Sequence, residues 1–71
     1  MPSLSDRLLA LRVENKLLQQ DIAKNNGIPL RTYQRYERGE SEPVSSIIIK
    51  LANYFDVSSD YLLGLSDNSK C

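Results

Sequence analysis

The chain has no histidine, no tryptophan and a single cysteine, Cys71, at its last position. Without imidazole and without a second thiol, the usual zinc and iron ligand sets are absent and no internal disulfide can form. Paired carboxylates in a plausible cleft and a phosphate-binding glycine loop are missing too, so neither catalysis nor a cofactor or metal is expected. No apolar run reaches membrane-spanning length, and the N-terminus lacks a signal-peptide pattern. Together with the unused cysteine, this points to the reducing cytoplasm. Net charge is also lacking: nine Lys and Arg stand against nine Asp and Glu. That balance argues mildly against nucleic acid, whose partners are usually basic.

What charge there is, however, is unevenly placed. From Lys24 to Arg38 the cations Lys24, Arg31, Arg35 and Arg38 meet only Glu37, whereas after Gly39 the anions Glu40, Glu42, Asp56, Asp60 and Asp67 outnumber Lys50 and Lys70. A chain polarised in this way presents a positive face locally even when its sum is zero. With 71 residues there is room for one small domain, expected over 3–65 and followed by a polar tail over 66–71.

Helical periodicity runs throughout, and no strand alternation or repeat interrupts it. Ser3 and Asp6 form a capping-box pattern that opens a first helix over Leu4 to Glu14, with Leu4, Leu8 and Leu11 as its buried stripe. Asn15 and Lys16 are turn residues. A second helix covers Gln19 to Asn25 and buries Ile22 and Ala23, and Asn26-Gly27 stops it. Pro29 suits the first turn of a third helix that runs to Arg38 and stops at Gly39. In that helix Tyr33 and Tyr36 or Glu37 face inward, while Arg31, Gln34, Arg35 and Arg38 face outward. A fourth helix is expected over Val44 to Tyr54, with Val44, Ile48, Leu51, Ala52 and Phe55 on one face. Ser58 caps a short fifth helix to Leu63, ended by Gly64. The expected fold is therefore all-α, a compact bundle of five helices. Its second and third helices, joined at Gly27, form a helix-turn-helix whose second member carries three arginines on a polar face, suited to the major groove of DNA.

The same residues resemble the phage repressor and Cro-type helix-turn-helix proteins. The match runs through Arg7-Leu8, Leu11-Arg12, Gln19, Ile22-Ala23, Gly27-Ile28 and Arg35-Tyr36-Glu37-Arg38-Gly39 with Pro43. It continues through Leu51-Ala52 and Phe55-Asp56-Val57-Ser58 to Leu62-Leu63-Gly64. Each motif is weak alone; their joint order and spacing are specific.

The resemblance implies the lambda-repressor-like arrangement and a sequence-specific regulator of transcription, most simply a repressor. By position, Gln19 would touch a phosphate and Leu30, Arg31 and Arg35 would face the bases, with Thr32, Gln34 and Arg38 beside them. Arginine donates two hydrogen bonds to guanine O6 and N7, and Leu30 offers only apolar contact, as to a thymine methyl group. Arg12 and Glu37 occupy positions that often form an ion pair between the first and third helices.

The chain departs from this pattern at several positions. Leu18 stands where Thr or Ser usually caps the second helix, and Asn26 and Pro29 replace common aliphatic and Ser residues around the turn. Glu40 and Glu42 occupy a loop that often carries cations near the DNA backbone, so weak nonspecific affinity and a shallow salt dependence are expected.

The expected partner is a double-stranded DNA operator, bound by a homodimer through paired half-sites. Tyr61, Leu63 and Leu65 are the expected dimer surface, with Ile47 and Ile49 as similar candidates; the alternative is that they simply cover the core. Around Leu62 to Asp67, longer family members pass into a linker and a second domain, so the chain is either a small regulator or the DNA-binding part of a larger repressor. A protein-interaction module that kept the fold and lost tight DNA binding is the competing reading, and the neutral charge and acidic loop favour it.

Overall fold

A computed structural model describes residues 3–69; Cys71 and Lys70 lie outside them. Five helices follow in order: α1 (Leu4–Glu14), α2 (Gln19–Asn25), α3 (Leu30–Arg38), α4 (Ser45–Phe55) and α5 (Ser59–Leu62). No strand occurs among the described residues. The bundle measures 28 × 22 × 21 Å.

One large side chain from each helix reaches full burial: Leu8, Ile22, Tyr33, Leu51 and Leu62. They meet at the centre, joined by Leu11, Ala23, Ile28, Tyr36, Ala52 and Val57. Fully burying an aliphatic or aromatic side chain contributes roughly 1.5–3 kcal/mol. The five short helices are thus held by shared packing more than by their own propensity.

At α1 the capping box forms as expected: the Ser3 hydroxyl accepts from the Asp6 N–H at 3.3 Å and the Asp6 carboxylate accepts from the Ser3 N–H at 3.1 Å. Leu18 has no oxygen to offer α2, so only the return half survives, from the Leu18 N–H to the Asp21 carboxylate at 3.3 Å.

All five helices stop in the same way. The residue after each stop takes positive φ: Lys16, Gly27, Gly39, Asp56 and Gly64. Each also has the paired backbone bonds of a Schellman motif, as in Gly39 N–H to Tyr36 O at 3.2 Å and Glu40 N–H to Arg35 O at 3.0 Å. The motif satisfies carbonyls that would otherwise be orphaned at the helix end. Three of the five positions are glycine, the residue that takes positive φ without strain, and Lys16 and Asp56 adopt it against their side chains.

The fourth helix starts and ends one residue later than its pattern suggests. Val44 is its N-cap, with extended backbone, and is 66% exposed. Lying outside the helical geometry, it leaves the buried stripe; Ile47 and Ile48 are the half-buried residues there instead. Beyond α5 the chain turns back, with Ser58 N–H donating to Ser69 O at 3.0 Å and its hydroxyl to Asn68 O at 3.4 Å.

Candidate nucleic-acid interface

α2 and α3 are joined by the short turn through Gly27, whose φ of +67° lets the chain reverse between them. Ala23 is buried, so α3 approaches α2 over a small side chain. The turn is also tied to α4, where Lys50 Nζ donates to Asn26 O at 3.3 Å. Asn26 is buried because its side-chain amide turns back to Ile22 O at 2.8 Å. Its polarity is therefore met within the helix end.

The faces of α3 divide as the sequence suggests. Tyr33 and Tyr36 are buried, and Arg31, Arg35 and Arg38 are exposed. Leu30 is 41% exposed at the start of the helix, while Thr32 and Gln34 are half-buried. Arg31 and Arg35 lie one turn apart and enter none of the ion pairs among the described residues. Arg38 differs: its Nε lies 3.2 Å from Glu40 Oε2.

Glu37, the only anion on α3, is removed from this face. Its carboxylate accepts from Arg12 Nε at 2.7 Å and from Gln19 Nε2 at 3.1 Å. The side chain is only 5% exposed, against 21% for Arg12. Gln34 continues the chain of bonds by donating to Gln19 Oε1 at 3.2 Å. Gln19, expected to touch a phosphate, is thus a link between helices, and α1, α2 and α3 share one polar network.

Burial acts to raise the Glu37 pKa, but hydrogen bonds from Arg12 and Gln19, the nearby Tyr33 hydroxyl and the Arg12 charge hold it below the ordinary glutamate value. The bond to Glu37 raises Arg12 against the effect of its own burial. The Tyr33 hydroxyl is buried beside the same carboxylate; burial first, then Glu37, push its pKa far above the ordinary tyrosine range. It lies close enough to feel Glu37 but forms no hydrogen bond of full geometry among the described residues.

Leu18, Gln19, Gln20, Leu30 and Gln34 line a shallow depression of about 240 Å³ where α2 meets α3. Gln20 escaped the sequence reading, because an exposed polar helix residue carries no distinguishing pattern. Arg7 escaped it too. It is buried at 8% exposure, stacks on the Tyr61 ring at 3.9 Å and pairs with Asp67 at 3.0 Å. Of the expected dimer residues, Tyr61 is therefore half-buried under Arg7, whereas Leu63 and Leu65 are 38% and 67% exposed. Ile47 packs on the core and Ile49 is 53% exposed. No group of acidic or cysteine side chains suited to a metal occurs among the described residues, and no helix among them is long and apolar enough to cross a membrane.

Two short helices at a tight turn, the second projecting cations and the first bonded across it, define the helix-turn-helix class. The chain belongs to that family, whose profile matches residues 8–62. It is similar to the HTH-type transcriptional regulator YqaE of Bacillus subtilis, 41% identical over 93% of this chain and 57% of that protein. Similarity extends to ImmR of Bacillus subtilis, an HTH-type transcriptional regulator, at 35% identity over 96% of this chain and 54% of the relative. The cryptic phage CTXphi transcriptional repressor RstR of Vibrio cholerae is 32% identical over 92% and 59% of the two chains. A transcriptional regulator from Listeria innocua superposes with a TM-score of 0.83 at 34% identity, covering 87% of this chain and 58% of that one. The chain spans little more than half the length of these relatives.

Proposed function

We propose that this chain binds double-stranded DNA in a sequence-specific way as a transcriptional regulator and acts as a repressor. It reads an operator in the major groove as a homodimer. The observation that carries the reading is the division of α3: Glu37 is neutralised inside by Arg12, leaving Arg31 and Arg35 on the outer face. A helix whose only anion is turned inward carries net positive charge toward a phosphate backbone. Arg31 and Arg35 then supply base contacts, Leu30 an apolar one, and Gln19, Thr32 and Gln34 position the helix, with Arg38 beside them at its end. Leu63 and Leu65, exposed at the end of α5, form the surface on which a second copy packs. As a regulator of bacterial or phage genes, it works in the cytoplasm, where its DNA is.

Fluorescence anisotropy with duplex from immediately upstream of its own gene, against scrambled duplex at two salt concentrations, tests this. Preference for the upstream duplex with a falling affinity in salt supports the reading. Equal weak binding to both, unchanged in a tethered dimer, would favour a protein-binding role instead.

A further inference from the structure

Resting on the DNA-binding reading, we propose that Glu40 withholds Arg38 from the DNA backbone and so sets how weakly the chain holds nonspecific duplex. The carboxylate is placed by the backbone. The Glu40 N–H is bonded to Arg35 O at 3.0 Å, and Gly39 before it holds φ at +74°. This fixes residue 40 in the last position of the Schellman motif that ends α3. The corresponding residues after α1, α2, α4 and α5 are Leu17, Ile28, Val57 and Leu65. An apolar residue is the common occupant there, because it packs back on its own helix. Only at the reading helix is the position an anion, and only there is a cation two residues before it.

The pair that results, Arg38 Nε to Glu40 Oε2 at 3.2 Å, leaves the two side chains 59% and 54% exposed. A phosphate oxygen can therefore reach the same guanidinium. An exposed pair of this kind contributes little to stability. Its effect on DNA binding is larger, because a closely paired Arg and Glu bring no net charge to the phosphates and release no counterion. Exchange of the carboxylate for a phosphate would leave Glu40 unpaired beside the backbone, with exposed Glu42 adding charge of the same sign. Arg38 is thereby subtracted from the sequence-independent part of binding. Discrimination is left to Arg31 and Arg35.

The test measures anisotropy with random-sequence duplex between about 50 and 200 mM salt, the range over which counterion release is legible. The proteins are the wild type, Glu40→Gln, Arg38→Met and the double variant, each checked by a thermal melt. Glu40→Gln is expected to bind several-fold tighter at the low-salt end, with the log–log salt slope steeper by about one. In the Arg38→Met background the same change should give a much smaller gain and leave the slope unchanged. An equal gain in both backgrounds would overturn the proposal, since Glu40 would then act as a loose charge. Wild-type binding that Glu40→Gln leaves unaltered would overturn it too. If no protein in the set binds any duplex, upstream DNA included, the DNA-binding reading itself falls and this inference with it.

Discussion

The carboxylate of Glu37, on α3, turns into the bundle and lies 2.7 Å from Arg12 Nε in α1. The contact joins residues 25 apart in sequence and holds α3 against α1. A pair this buried contributes little net stability relative to apolar replacements, yet removing one member strands the other charge.

Glu37→Ala strands Arg12, whose side chain keeps 21% exposure, and is therefore expected to cost about 1–3 kcal/mol. Arg12→Met combined with Glu37→Ala should cost clearly less than the two single changes summed. Urea unfolding of the four proteins measures the coupling; strict additivity would show that the two side chains do not act together.

The lowered pKa of Glu37 sets the sign of an acid response. A carboxylate depressed in the folded state adds stability above its unfolded pKa and loses it as the pH falls through the folded one. That contribution should be complete at neutral pH and decline once the pH drops below the ordinary glutamate value of 4.5. Thermal melts of the wild type across that range should fall more steeply than those of Glu37→Gln, which lacks the titrating group. Parallel curves would remove Glu37 as the source.

Lys16 holds φ at 54° in the Schellman stop after α1, without a structural need for its side chain. Left-handed backbone costs an L-residue roughly 1–2 kcal/mol, part of which glycine returns as unfolded-chain entropy. Lys16→Gly is expected to stabilise by about 0.5 kcal/mol, read as a rise in the urea midpoint without a change in m. Asp56→Gly should gain less, because aspartate tolerates this region better.

Arg35→Ala should reduce discrimination between operator and scrambled duplex by about 1–3 kcal/mol, the usual contribution of a bidentate base contact. Arg31→Ala should behave similarly. Competition anisotropy separates the two kinds of contact, and equal weakening on both duplexes would make either arginine a phosphate ligand.

Arg7 packs on Tyr61 and is paired with Asp67, whose side chain is 98% exposed. Asp67→Asn is expected to leave the thermal midpoint unchanged, whereas Arg7→Ala should lower it through the lost packing on the ring. A comparable drop in both would show that the ion pair, rather than the stacking, holds the segment after α5.

Much of the fold was legible because its signals are local. Ser3 with Asp6, Ser58, Gly27, Gly39 and Gly64 mark helix ends within a few residues, and the bounds of α1, α2 and α3 follow from them. The stop at Asp56 carried no such mark, since neither glycine nor proline stands there, and the capping role of Val44 moved it from the buried stripe to the surface. The site was legible in part. The outward cations follow from the period of α3, but the Arg12–Glu37 pair came only through family resemblance, because nothing in local spacing links two helices. Arg7 and the Arg38–Glu40 pair were illegible for related reasons. One depends on a ring and a carboxylate more than fifty residues away, and the other on a chain reversal that brings together side chains two positions apart.

The separation of roles along α3 has an evolutionary meaning. Tyr33, Tyr36 and Glu37 are committed to the interior and the polar network, while Arg31 and Arg35 are exposed and enter none of the ion pairs among the described residues. On the proposed reading, the outer positions can change with little effect on folding, each exchange altering mainly which bases are recognised. A lineage of such proteins can acquire new addresses in the genome while its scaffold stays under purifying selection, so regulatory divergence need not pass through unstable intermediates.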